Sequence, residues 1–357
     1  MQQLLYWSLN QPKMMRQPKP SRSKLPHKPV VLWQASPQPQ ARRSHTMTTS
    51  GVEPRAGAGM RLTLRDITLL QTLYTARYLT TPQIEKLFWP GDTTGRTKAC
   101  QQRLRLLHYH GLVRRISLPI RRGEKPKPFV YALDRKGAEL LVSELGTEPS
   151  SLDWRPKAQE ENYPFLEHLL TTTDFRIALT RACEQAGVVL QEWVDERELK
   201  SSPNLEYVTL RGPQGSSLRA ALVPDAYFVL AREGKQGIFF VEVDLKTVTV
   251  SPSQWERRGW VRRIRTYDAY FRSEAYRTRY GSRRARVLTV TPSALRLRNL
   301  KRATEAVFQE MRQAGEDASA QNRFWFTVFE QEMDPGRLLT EPIWQLAGSD
   351  APRALLE

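Results

Sequence analysis

The fold is decided by the stretch VPDAYFVLAREGKQGIFFVEVDLK, which occupies residues 223–246. Its two apolar runs, Ala226–Ala231 and Ile238–Val243, predict neighbouring buried strands joined by a turn at residues 233–237. Runs without polar alternation are typical of central strands that are covered on both faces. The sequence therefore predicts a hairpin at the centre of an α/β domain.

Charged residues interrupt this apolar hairpin at four positions. Asp225 precedes the first strand, and the residues Glu242, Asp244 and Lys246 alternate along the second. Alternate residues of a strand share one face, so these three side chains are expected to project together, with Asp225 reaching them from the adjacent strand. Burying a carboxylate costs free energy unless it is paired or bound to a metal. These acids therefore predict a site at which they are paired or hold a metal ion.

The layout resembles that of the restriction-endonuclease-like nucleases, whose signature is Pro-Asp, a spacer within a hairpin, and then Asp/Glu-x-Lys. Pro224 and Asp225 match the first element, Glu242 matches the acid of the second, and Asp244 occupies the lysine position. Lys246 lies one strand repeat further along the same face. The resemblance implies that Asp225, Glu242 and Asp244 hold Mg²⁺ and that these acids and Lys246 form the catalytic set.

The composition predicts a basic protein of two folded domains. Its 357 residues can form two cores, and the formal net charge of +18 favours a polyanionic partner, most economically nucleic acid. No apolar run reaches the length of a membrane span and no secretory signal is evident, so we expect a soluble cytoplasmic protein with no membrane partner. Two cysteines, Cys100 and Cys183, exclude a disulfide framework and a cysteine-rich zinc site.

Residues 1–60 differ in composition from the rest of the chain. They are rich in Pro, Gln, Ser and Arg, and they carry nine basic residues against the single acid Glu53. The segment lacks apolar periodicity and is interrupted by prolines, which predicts disorder. It is either a basic arm that tethers DNA or, the reading that we favour, upstream sequence that is not translated, with Met47 or Met60 as the true start.

Residues 61–149 predict a winged helix-turn-helix domain. The expected elements are helices at 64–78, 81–89 and 94–110, strands at 112–118 and 128–133, and a last helix at 134–145. Thr81 and Pro82 are typical of a helix start, and Gly111 is typical of a helix end. Three helices followed by a ribbon with a basic tip is the order of a winged helix.

The third of these helices is predicted to enter the major groove of duplex DNA. Its expected exposed side carries Thr94, Arg96, Thr97, Lys98, Gln101, Gln102 and Arg105. Arginine and glutamine side chains can read guanine and adenine edges in that groove. The tip of the ribbon would neutralise phosphates through Arg121, Arg122, Lys125 and Lys127. The alternative is a winged helix that contacts protein and whose charges form a solvated face.

After a polar linker at residues 150–162, residues 163–332 predict the second domain and residues 333–357 a tail. The expected elements are a helix at 165–187, a strand at 188–199, the hairpin, a helix at 253–280, a strand at 286–291, a helix at 294–313 and a strand at 323–329. Residues 201–217 are expected to be an irregular excursion. The order contains the αβββαβ core of restriction-endonuclease-like domains; the alternative is an unrelated α/β domain of similar order.

Both predicted domains together resemble the replication-relaxation family of bacterial plasmids and mobile elements. The motifs that carry this resemblance are EH at 167–168, TDFR at 173–176, PD at 224–225 and FVEVD at 240–244, and the likeness covers about residues 61–300. The family is associated with plasmid replication and DNA relaxation, and its members are usually described as DNA-binding. It commonly has Glu-x-Asp in the second motif, as here at Glu242 and Asp244.

Three functions follow as hypotheses. The first is a DNA-binding replication or mobilisation accessory protein with a degenerate nuclease fold, whose partners are duplex DNA and other replication proteins. The alternative is a Mg²⁺-dependent endonuclease that the winged helix targets, and the third is a transcriptional regulator. A relaxase site at His108 and His110 is disfavoured because the two histidines end a helix, whereas such a site needs them on a strand. His168 is a candidate for a supplementary site residue.

Overall fold

The structure is a computed structural model, and it describes residues 60–89, 91, 94–120, 123, 125–145, 163–201, 205–211, 216–245 and 259–357. The predicted N-terminal arm up to residue 59 and the predicted linker at 150–162 lie outside the described residues. So do three residues of the predicted sites, Arg121, Arg122 and Lys246.

The N-terminal unit has the predicted order of helices and ribbon. Its elements are α1 (Leu64–Ala76), β1 (Leu79–Thr80), α2 (Thr81–Phe88), α3 (Arg96–Tyr109), β2 (Val113–Ile116), β3 (Val130–Leu133) and α4 (Arg135–Leu145). Thr63 caps α1 and Thr80 caps α2, each through a capping box. The short strand β1 was not predicted; it pairs with β3, so the described ribbon has the antiparallel order β1-β3-β2.

The second unit is built on one long helix and a mixed sheet. Its elements are α5 (Tyr163–Ala186), β4 (Val189–Asp195), α6 (Glu196–Lys200), β5 (Glu206–Arg211), β6 (Ser217–Leu222), β7 (Ala226–Arg232), β8 (Lys235–Val243), α7 (Trp260–Arg272), α8 (Glu274–Tyr280), β9 (Ala285–Thr291), α9 (Ala294–Gln313), β10 (Phe324–Val328), α10 (Arg337–Thr340) and β11 (Gln345–Leu346). The predicted mixed helix-and-sheet fold class is confirmed.

The predicted hairpin occupies the middle of the main sheet. Among the described residues this sheet has the order β11-β10-β9-β8-β7-β4, with β8, β9 and β10 parallel and the other neighbours antiparallel. Phe240 on β8 packs in the core formed with α7 and α9, whereas Val241 packs in the core formed with α5 and α10. Both faces of β8 are therefore covered, which is why its sequence is apolar without alternation.

The turn of the hairpin is shorter than predicted. Strand pairing continues to Arg232 opposite Lys235, so the connection consists of Glu233 and Gly234 instead of residues 233–237. Both turn residues have positive φ, 51° and 76°, as a two-residue turn that matches the twist of its strands requires.

Four other segments depart from the sequence prediction. The strand expected at 188–199 ends at Asp195, and the residues that follow it form helix α6. The helix expected at 253–280 is divided at Ser273, whose hydroxyl caps α8; its first residues, 253–258, are not described. The excursion expected at 201–217 contains β5 and leads into β6. The predicted tail at 333–357 forms α10 and β11, and it buries Leu338, Leu339 and Trp344 against the sheet. The free energy of burying these side chains holds the segment in place.

Helix α5 packs against both units. Ile177 lies in the core of the N-terminal unit, and Leu166 and Leu170 pack with Tyr78 of that unit. The side-chain amide of Gln83 on α2 donates a hydrogen bond to the Leu170 carbonyl at 2.9 Å. On its other side, α5 contributes to the core of the second unit. This helix therefore joins the described parts of the two units through buried contacts.

Candidate nucleic-acid interface and carboxylate cluster

Helix α3 has one buried side and one polar exposed side. Cys100, Leu104 and Leu107 are fully buried against the N-terminal core. The opposite side exposes Lys98, Gln101, Gln102, Arg105 and, with 76% of its surface accessible, Tyr109. These positions are three or four residues apart and so lie on one face of the helix. None of the five side chains is acidic, which leaves the face positively charged.

Two predicted DNA contacts on α3 are used within the protein. The Arg96 Nε lies 2.7 Å from the Glu85 Oε1, and the Thr97 hydroxyl donates to the same oxygen at 2.8 Å. Glu85 belongs to α2, so these bonds fix the turn between α2 and α3. The structure thereby assigns Arg96 and Thr97 to the placement of the helix, while Thr94, just before it, is exposed.

The ribbon that follows α3 carries further basic side chains. Arg115 on β2 is exposed, and its guanidinium carbon lies 4.6 Å from the ring centroid of Phe129. Among the predicted wing residues, Lys125 is exposed and Lys127 is half-buried. The histidines at the end of α3 are helix-end residues, as expected, and His108 Nδ1 lies 3.0 Å from the Val113 carbonyl oxygen.

Asp225, at the start of β7, forms the first part of the carboxylate cluster. Its Oδ2 accepts a hydrogen bond from the Val243 backbone N–H at 2.7 Å and lies 3.2 Å from Nε2 of His168 on α5. Burial opposes ionisation of both groups. The hydrogen bond and opposite charges outweigh it, because they lower the pKa of Asp225 and raise the pKa of His168 to about 9. The two groups therefore form a charged pair at neutral pH.

Glu242, on β8, is paired with two side chains of α7. Its Oε1 accepts a hydrogen bond from the Tyr267 hydroxyl at 2.6 Å, and its Oε2 is bonded to the Arg263 guanidinium. Only 1% of the Glu242 surface is accessible. Burial raises the pKa of this carboxyl to about 8, against the opposing effect of Arg263. Arg263 and Tyr267 are one helical turn apart, so α7 presents both to the same carboxylate.

Asp244, just beyond β8, is paired with α9. Its two oxygens accept from the Arg296 Nε at 2.7 Å and Nη2 at 2.9 Å, a bidentate arrangement. Its backbone N–H donates to the Val290 carbonyl at 2.9 Å, which holds the residue beside β9. The structure thus places Asp225, Glu242 and Asp244 at one end of neighbouring strands, and each acid is bonded to a cationic side chain from a different helix.

In this arrangement the three acids do not fit a Mg²⁺ site. A hard cation needs accessible carboxylate oxygens, but both oxygens of Glu242 and both of Asp244 are bonded to side chains. Across the described part of the chain, no group of three or more His, Cys, Asp or Glu side chains is arranged to hold a metal. For these residues to bind a metal ion, Arg263 and Arg296 would have to move away.

Sequence reasoning missed the cations that close this cluster. Arg263, Arg296 and Tyr267 were not predicted as site residues. A signal was present on α7, because Arg263 lies within the apolar stripe formed by Trp260, Ile264 and Tyr267. An arginine in a buried stripe indicates a buried acid opposite.

Comparison with known protein families identifies one match. The family described as Replication-relaxation matches residues 70–284, which include the whole of α3 and the carboxylate cluster. Neither the curated proteins nor the solved structures contain a match to the chain. Within the described residues, each helix is too short or too polar to cross a membrane.

Proposed function

The chain belongs to the replication-relaxation family, which supports a replication-related function, and we propose that it acts there as a DNA-binding accessory protein. The N-terminal unit, interpreted as a winged helix-turn-helix, binds duplex DNA through α3 and the ribbon. The second unit, interpreted as a restriction-endonuclease-like domain, serves as a scaffold without cleaving DNA. The proposed setting is plasmid or mobile-element replication in the cytoplasm, with other replication proteins as partners.

The exposed face of α3 carries this proposal. Lys98 and Arg105 supply positive charge for phosphates, and Gln101 and Gln102 supply amides that can pair with adenine edges in the major groove. The order of helices and ribbon supports the winged-helix interpretation, in which a helix of this kind enters the groove and the ribbon contacts the backbone. The +18 net charge of the chain agrees with a polyanionic partner.

The order of α5, β4, β7, β8, α7 and β9 supports the nuclease-like interpretation of the second unit. In it, a helix precedes three antiparallel strands, and a second helix leads to a parallel strand. The pairing of Glu242 with Arg263, and of Asp244 with Arg296, favours a scaffold over a nuclease. Mg²⁺-dependent cleavage is the second candidate function, and the position of the three acids at one end of neighbouring strands supports it.

Duplex binding is tested with Lys98→Ala/Arg105→Ala in the full chain, measured by fluorescence anisotropy on labelled duplex DNA over a range of salt concentrations. The slope of log affinity against log salt is negative, and each lost phosphate contact reduces its magnitude by about 0.9, so the double variant should show a slope about 1.8 smaller in magnitude. The matched control is Arg232→Ala/Arg337→Ala, which removes two exposed charges that pair with Glu233 and Glu341. If the Lys98→Ala/Arg105→Ala variant has the same salt slope and the same duplex affinity as this control, the proposal is overturned.

Cleavage is tested by incubating supercoiled plasmid with the wild-type protein in Mg²⁺, beside Asp225→Ala/Glu242→Ala. The scaffold interpretation predicts a mobility shift without nicked or linear products. Nicking by the wild type that the double variant abolishes would instead establish the second candidate. A circular dichroism spectrum of the variant controls for folding, because the substitutions leave the half-buried cations His168 and Arg263 without their acids.

A further inference from the structure

The β5–β6 ribbon lies outside the main sheet and has one exposed face. In the described part of the chain, β5 and β6 pair only with each other. Val208, Leu210, Ala220 and Leu222 point to one side and are buried in the core that includes α7. The other side of the ribbon faces solvent. Because its inner face is packed, the ribbon presents the outer face as a fixed surface.

The outer face combines an aromatic ring, two arginines and small polar groups. Its exposed residues are Tyr207, Thr209, Arg211, Ser217, Arg219 and Ala221. In the strand register, Tyr207 lies opposite Ala221, and Thr209 lies opposite Arg219. The face contains no acidic side chain among these six residues, so it is positively charged.

Tyr207 and Arg219 stack on each other and form what we call the platform of the outer face. The guanidinium carbon of Arg219 lies 4.0 Å from the Tyr207 ring centroid, within the range of a cation–π contact. Tyr207 nevertheless keeps 46% of its surface accessible. Glu206, its neighbour on the inner side, is tied to Arg279 at 3.0 Å, which further fixes this end of β5. An ordered ring with an accessible surface can stack on a base with little loss of side-chain entropy.

We propose that the outer face of the β5–β6 ribbon binds single-stranded DNA, with an unpaired base on Tyr207 and phosphates at Arg211 and Arg219. Single strands expose the faces of their bases, so a surface that combines an aromatic ring with basic groups binds them without needing a particular sequence. The bases of a duplex are stacked inside it and are not open to this ring. This surface is separate from α3, and its ligand differs from the duplex DNA of the proposed function.

The first test uses fluorescence anisotropy with a labelled oligothymidylate of about 20 nucleotides and the full-length protein. Tyr207→Ala should weaken binding on the order of tenfold, since stacking on one aromatic ring contributes that much by alanine substitution. Tyr207→Phe keeps the ring and should bind like the wild type. If Tyr207→Ala also binds like the wild type, the platform plays no part and the proposal is overturned.

The second test separates charge from stacking. Arg211→Ala/Arg219→Ala should reduce the magnitude of the salt slope for the single strand by about 1.4, at about 0.7 per phosphate contact. The control Arg232→Ala/Arg337→Ala, which removes the same charge at paired positions, should leave the slope unchanged. Thermal unfolding of each variant verifies that the ribbon remains folded. An equal loss of slope in the control would assign the effect to net charge and overturn the proposal.

Parallel measurements on duplex DNA distinguish this inference from the proposed function. The variants of the β5–β6 ribbon should retain duplex affinity, and the Lys98→Ala/Arg105→Ala variant should retain single-strand affinity. A ribbon variant that loses duplex binding alone would assign the surface to the duplex and overturn the single-strand assignment. Loss of duplex binding in the α3 variant, with unchanged single-strand binding, would support both proposals independently.

Discussion

The exposed face of α3 and the carboxylate cluster use basic side chains in opposite ways. On α3, Lys98 and Arg105 point into solvent on a face without acids. At the cluster, three helices each direct one cation toward a buried acid: His168 toward Asp225, Arg263 toward Glu242 and Arg296 toward Asp244. Net positive charge therefore does not by itself locate a DNA-binding surface, because charges already paired within the fold contribute less to an external partner.

The cluster also shows what buried acids contribute to a fold when they are paired. The residues at the end of the central strands connect the sheet to α5, α7 and α9 through directional bonds. Such pairs add little net free energy relative to apolar packing, but breaking one leaves a charge buried without a partner. We therefore expect substitutions at the cluster to change stability and substitutions on the exposed face of α3 to change DNA affinity.

The largest expected effect comes from breaking the pair of Asp244 and Arg296. Their side chains are 3% and 13% accessible, so Arg296→Met leaves a buried carboxylate and should destabilise the protein by about 3–5 kcal/mol. The double variant Asp244→Leu/Arg296→Met removes both charges and should recover most of that loss. Urea unfolding of the wild type, both single variants and the double variant measures the coupling. Additive losses would show that the two side chains act independently.

The pair of His168 and Asp225 predicts a dependence of stability on pH. The pKa of His168 is raised from its ordinary value to about 9, so its contribution is complete below about pH 6.5 and is lost as the pH rises through 9. At about 1.4 kcal/mol per pKa unit, roughly 3 kcal/mol of unfolding free energy is at stake. The pKa of Asp225 is lowered, so this group titrates well below the window. The Val243 carbonyl and the charge of Glu196 also favour the protonated imidazole of His168.

The measurement is the unfolding free energy of the wild type and of His168→Gln between about pH 6.5 and pH 9.5. Glu242 titrates in the same window in both proteins, since burial raises its pKa to about 8. The difference between the two curves therefore isolates His168, and it should shrink by roughly 3 kcal/mol across the window. Parallel curves would contradict the charged pair.

The elements that the sequence predicted are those with strong local patterns. The hairpin of β7 and β8 follows from two apolar runs, and α9 follows from apolar residues at helical spacing, so the predicted helix at 294–313 agrees with the structure. Strands β5 and β6 were missed because their alternation is short and lies between residues typical of turns. The last strand, β11, has two residues, and its position depends on the pairing with β10.

The acids of the cluster were predictable, but their partners were not. Asp225, Glu242 and Asp244 stand out because charge interrupts an apolar hairpin. The arginines that pair with Glu242 and Asp244 lie 21 and 52 positions away along the chain, and their approach depends on how α7 and α9 pack on the sheet. Periodicity predicts the buried face of a helix but not the residue that it meets.

Helix α3 itself contains one arginine that is paired within the protein and one that faces solvent. Arg103 turns inward and pairs with the buried Asp66 of α1, with its Nε 2.7 Å from the Asp66 Oδ1, whereas Arg105 is exposed. Arg103→Ala should destabilise the protein by about 2 kcal/mol, because Asp66 loses a charged partner but keeps the hydrogen bonds from Thr63. Arg105→Ala should leave unfolding unchanged within about 0.5 kcal/mol and weaken duplex binding.

Thermal unfolding and duplex anisotropy on the two single variants check this contrast. Arg103→Ala should lose stability, and Arg105→Ala should lose affinity for the duplex. The same pattern for both variants, in either measurement, would remove the distinction between paired and solvent-facing arginines on this helix.

The smallest expected effect concerns a hydroxyl beside the cluster. Thr289 on β9 lies opposite Glu242 in the strand register and is fully buried, and its Oγ1 has no hydrogen-bond partner among the described residues. A buried hydroxyl without a partner opposes folding, so Thr289→Val, which keeps the shape, should stabilise the protein by about 1 kcal/mol.

Thr304→Val is the matched control, because the Thr304 hydroxyl accepts from Trp260 at 3.0 Å and donates to the Leu300 carbonyl at 2.8 Å. The control should lose stability by a similar amount, since its replacement leaves the Trp260 N–H buried without an acceptor. A loss in Thr289→Val as well would mean that Glu242 and its neighbours depend on this hydroxyl, and that the polar network at the end of the central strands extends beyond the three pairs of an acid and a basic side chain.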